Sequence, residues 1–63
     1  MGKEITEAYV ALRLITDGIA PDVDAAAGGN KAAGTRVRVA MQRAKEACQQ
    51  LREAIQVAKA KAV

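Results

Sequence analysis

Apolar residues return at helical spacing from the start of the chain, at Ile5, Ala8, Tyr9, Leu12, Ile15, Ile19, Val23 and Ala26. Ile5, Leu12, Ile19 and Ala26 stand seven apart, so one seam stays in phase across the whole segment. Asp17-Gly18 and Pro21 interrupt it with residues that favour a helix end: glycine suits a C-terminal cap, and proline removes a hydrogen bond one turn back. Because the seam keeps its register through them, the pattern predicts one helix over about 4–27, kinked near Pro21, with a break there as the alternative. Asp22 and Asp24 suit either case, since carboxylates just after a proline sit well at a helix N-terminus. Val10 and Leu14 lie one turn apart off the main seam and predict a second, partner-facing surface.

Gly28-Gly29-Asn30 is the strongest punctuation in the chain. Gly28 can take the left-handed conformation that closes a helix, and Asn30 can cap the next one. Helices joined by so short a turn, residues 28–30, fold back antiparallel. The second helix is then expected over about 31–61. With Val37 at position a of a heptad, Val37, Ala44, Leu51 and Ala58 fall at a, Ala33, Ala40, Ala47 and Ala54 at d, and Gly34, Met41, Cys48 and Ile55 at e. Such a three-column face predicts a buried Cys48. The alanine d column predicts a first helix lying close, with Gly34 near Ala25–Ala27. The expected fold is all-α: a single domain, 1–63, forming an antiparallel, coiled-coil-like helical hairpin that dimerises into a four-helix bundle.

Composition strengthens the case for association. Of the 63 residues 51% are hydrophobic, but alanine supplies 15 positions and Tyr9 is the only aromatic. A buried valine or leucine contributes about 1.5–3 kcal/mol and an alanine far less, so a lone hairpin has little core.

Charge is uneven. Residues 1–30 carry two basic and five acidic groups, net −3, whereas residues 31–63 carry eight basic and two acidic groups, net +6. Lys31, Arg38, Lys45, Arg52 and Lys59 repeat every seven residues, at position b, and form one positive line along the second helix. None of them has an Asp or Glu three or four residues away, the spacing an intrahelical pair needs. Arg36 likewise has none, while Arg43 has Glu46. Three readings of this line stay open: a solvated flank or pairing with acids of the first helix, phosphate binding, and contact with anionic lipid.

Other chemistry is disfavoured. Histidine is absent, the single cysteine has no partner or base, and no metal-ligand spacing occurs. A two-helix chain offers no pocket for a small-molecule substrate. The pattern therefore predicts no enzyme, no cofactor and no metal. No apolar run approaches the length of a membrane span, and charges occupy the place of a signal-peptide core, so a cytoplasmic protein is expected. Aromatic platforms or a short recognition helix, the marks of a sequence-reading nucleic-acid module, are missing.

The stretch GNKAAGTRVR, Gly29 to Arg38, followed by a long charged helix, resembles the bacterial linker-histone-like nucleoproteins best known from chlamydiae. The likeness extends over about Ala25 to Ile55. It implies a nucleoid-associated protein that self-associates through its helical part and compacts double-stranded DNA without marked sequence preference. By that resemblance Lys31, Arg36 and Arg38 contact phosphate, with Arg43, Lys45, Arg52 and Lys59 extending the surface. The alternative is a structural oligomerisation module whose charges serve helix pairing.

Overall fold

The computed structural model describes residues 2–62, and the expected domain limits at Met1 and Val63 lie outside them. The described residues form helix α1 (Gly2–Gly18), helix α2 (Ala20–Ala27) and helix α3 (Lys31–Ala62). Pro21 explains the seam between the first two: it has no N–H to offer the Asp17 carbonyl. Yet Ile19 keeps right-handed helical angles, φ −88° and ψ −8°. The Ile19 N–H donates to Ile15 at 3.2 Å and that of Val23 to Ile19 at 3.0 Å. The helical phase thus passes through, and α1–α2 acts as one arm against α3.

The turn is a Schellman closure. The N–H of Asn30 donates to Ala25 and that of Gly29 to Ala26, both at 3.0 Å, which satisfies carbonyls that α2 would otherwise leave open. This pattern puts the left-handed residue one place later than expected: Gly29 has φ 101°, and Gly28, at φ −83°, is the last helical-side residue. Asn30 then opens α3, its Oδ1 accepting from the Ala33 N–H at 2.9 Å.

The arms run antiparallel as a thin rod whose Cα atoms span 51 × 14 × 11 Å. Its core is almost entirely alanine: Ala8, Ala33, Ala44 and Ala47 are buried, with Ile5, Leu12, Ile15, Ile19, Val37 and Leu51 half-buried around them. One expectation fails here. Cys48 is exposed, and so are Met41 and Ile55 of the same column. Two helices in contact cover only their facing a and d columns, so a third column needs another layer to bury it. Gly34 is half-buried, and nothing lies within 4 Å of where a Cβ on it would stand.

Candidate nucleic-acid interface

With Ile5 at position a, the first arm places Ile5, Leu12, Ile19 and Ala26 at a, and Ala8, Ile15 and Asp22 at d, all buried or half-buried. Antiparallel packing sets g beside g and e beside e. A shallow groove shows the g side: Glu4, Glu7, Ala8 and Ala11 line it from α1, Gln50 and Ala54 from α3. The other side of the rod is therefore made by Tyr9, Thr16 and Val23 of the first arm and Gly34, Met41, Cys48 and Ile55 of α3.

This arrangement sorts the charges. All seven carboxylates, Glu4, Glu7, Asp17, Asp22, Asp24, Glu46 and Glu53, stand at c, d, f or g of their helices. None stands at a, b or e. The e side carries the apolar strip just described, edged on α3 by Lys31, Arg38, Lys45, Arg52 and Lys59. Each of these five is exposed, and no ion pair among the described residues involves any of them. Heptad spacing sets neighbours about 10.5 Å apart, so the column is about 42 Å long, a little more than one turn of a DNA duplex.

The remaining two expected contacts lie elsewhere. Arg36 and Arg43 occupy position g, about 140° around α3 from the column. Arg36 is also engaged: its Nε donates to Asp22 Oδ2 at 3.0 Å and its Nη2 to Asp22 Oδ1 at 2.8 Å, tying α2 to α3 beside the turn. That two-pronged geometry is the strong form of the pair. The Arg36 hydrogen bonds hold the Asp22 carboxyl below its usual value of 3.8, partial desolvation opposing and the guanidinium charge assisting. Asp22 raises the Arg36 guanidinium in turn. The signal in the sequence is Asp22 itself, an acid standing in a seam column seven residues after Ile15.

A carboxyl whose pKa is depressed by folding adds stability above its unfolded pKa and loses it as pH falls through the folded value. Thermal melts followed by circular dichroism should therefore show Asp22→Asn less stable than the native chain at pH 7. The gap should shrink as pH falls below about 4. Arg36→Gln should behave in the same way, and the double variant should cost little beyond either single one.

Among the described residues no helix is long and apolar enough to cross a membrane. No curated protein and no solved structure matches the chain. One family does: that of histone H1-like protein Hc1, whose pattern matches residues 6–61, nearly the whole chain, and the protein accordingly belongs to this chlamydial-type, linker-histone-like family.

Proposed function

We propose that the protein is a histone-like nucleoid component that lays the basic column of α3 along the DNA backbone, without sequence preference, and helps compact or organise the duplex. The observation that carries this reading is the column itself: five exposed cations, in no ion pair among the described residues, on a side without an Asp or Glu. Each phosphate neutralised releases condensed counterions, and a row of point charges on a rod reads no base edges. Lys31, Arg38, Lys45, Arg52 and Lys59 are the primary contacts. Arg36 and Arg43 face another way, and Arg36 serves the hairpin first. The role is architectural, not catalytic, and its place is the nucleoid in the cytoplasm.

The active form in this reading is a dimer, a four-helix bundle closed through the apolar strip. Tyr9, Val23, Met41 and Ile55 are each more than a third exposed in the single hairpin. Thr16, the polar member of the strip, satisfies its hydroxyl on the Leu12 carbonyl at 3.1 Å. Among the described residues, the competing reading, in which charges serve helix pairing, is favoured at one position, Arg36 with Asp22.

Fluorescence anisotropy with two duplexes of unrelated sequence tests the proposal. Five contacts predict a slope of log K against log salt of roughly −4.5 and a loss of about 500-fold between about 50 and 200 mM salt, the same for both sequences. Binding that ignores salt, or no binding at low salt, would sink it.

A further inference from the structure

The geometry points to a dimer that bridges two DNA segments: each α3 lies over the α1–α2 arm of a second copy, so that the two basic columns run along opposite edges of the bundle. This rests on the DNA reading above and deepens it by naming how many duplexes the assembly holds.

Two hairpins can close their apolar strips in two ways, with α3 over α3 or with α3 over the other copy's first arm. The first sets two columns of Lys31, Arg38, Lys45, Arg52 and Lys59 side by side, with no carboxylate at a, b or e to relieve them. Like charges so placed repel. In the second, each column borders the b positions of the opposing first arm, Thr6, Arg13, Ala20 and Ala27, where Arg13 is the only charge. Arg13 itself is drawn towards Asp17, at 3.9 Å.

Side-chain size agrees. The Asp22–Arg36 pair fixes which residues of the two arms stand level. Counting in opposite directions from it puts Tyr9 level with Cys48, Thr16 with Met41 and Val23 with Gly34, to within one residue. A two-fold axis parallel to the rod keeps those levels between copies. It then sets the largest side chain of the first arm on the small Cys48, Val23 on Gly34, and Met41 on Thr16. The open space at Gly34, where a Cβ would meet nothing within 4 Å of its own chain, receives an occupant. Packing small against large is what lets two helix faces interdigitate.

The consequence follows from where the columns point. In a bundle with helices about 8–10 Å apart, columns on diagonally opposite edges face away from each other, and one straight duplex cannot lie against both. Each dimer then offers two separate backbone sites, and binding both joins two duplexes or two distant parts of one.

The experiment has two readouts on the same full chain. Anisotropy reports binding to one labelled duplex. Capture of a fluorescent duplex by a second, bead-bound duplex reports bridging. The native chain should do both, and Met41→Gln combined with Ile55→Gln, uncharged changes at side chains exposed in the hairpin, should become monomeric by light scattering with its helicity intact. That variant should bind a single duplex about as tightly as the native chain, since one duplex engages only one column in either form, and lose capture altogether. Tyr9→Gln should repeat the result. For the arrangement, a chain carrying Tyr9→Cys and Cys48→Ser is mixed with native chain and oxidised. A disulfide-linked heterodimer is expected, because a disulfide forms only where Cα atoms approach within about 7 Å. Binding by a native dimer that captures no second duplex overturns the bridging inference and leaves the DNA reading standing, as does a failure to form the heterodimer. Absence of single-duplex binding at low salt overturns both.

Discussion

Replacing Arg38, Lys45, Arg52 and Lys59 together by glutamine should lower DNA affinity by about a thousandfold at about 0.1 M salt and reduce the salt slope by about 3.6, equally for every duplex sequence. The size follows from counterion release, since each lost phosphate contact removes about 0.9 from the slope. Glutamine is nearly as good a helix former as lysine or arginine, and all four positions are exposed. Helicity, melting temperature and oligomeric mass should therefore stay close to native values. The informative control is Arg36→Gln with Arg43→Gln. These residues lie on the opposite flank, and Arg36 is held by Asp22, so the pair should change affinity far less while lowering the melting temperature. Equal losses from the two sets of substitutions would mean that net charge, not the column, governs binding.

The second large effect concerns the alanine seam. Ala47→Leu should lower the melting temperature by about 4–24 °C or abolish cooperative unfolding. Ala47 is 4% exposed and Ala33 0% exposed, and the alanine d column is what lets the arms lie close. Extra methylenes in a packed core cost about 1–3 kcal/mol, and each kcal/mol is worth about 4–8 °C in a domain of this size. The same substitution at Ala32 or Ala60, both exposed on α3, should leave the melt nearly unchanged. A matched set of calorimetric scans decides it: similar shifts at buried and exposed sites would show that the arms do not meet along this column.

Much of the fold was legible in order along the chain. Glycine and asparagine marked the turn, the seven-residue seam survived Pro21, and the a and d columns of α3 named from the sequence are buried or half-buried. The misreadings have separate causes. Placing the left-handed residue at Gly28 instead of Gly29 mistook which turn glycine the Schellman bonds require. Expecting Cys48 to be buried assumed a partner layer broader than one helix. The basic column was visible as a period. That Arg36 and Arg43 do not share its face follows from the same period, but that Arg36 is already engaged does not.

The sequence by itself determined the helices, the turn, the alanine contact surface and the line of cations, because each of these is a matter of phase along one helix. It also held the likeness to the linker-histone-like family in GNKAAGTRVR. Only the tertiary structure decided that each arm covers no more than the a and d columns of the other and that Asp22 meets Arg36, since both depend on side-chain contacts between the arms and not on either period. It leaves the cation column bare beside an apolar strip, and so turns an excess of charge in half the chain into a surface.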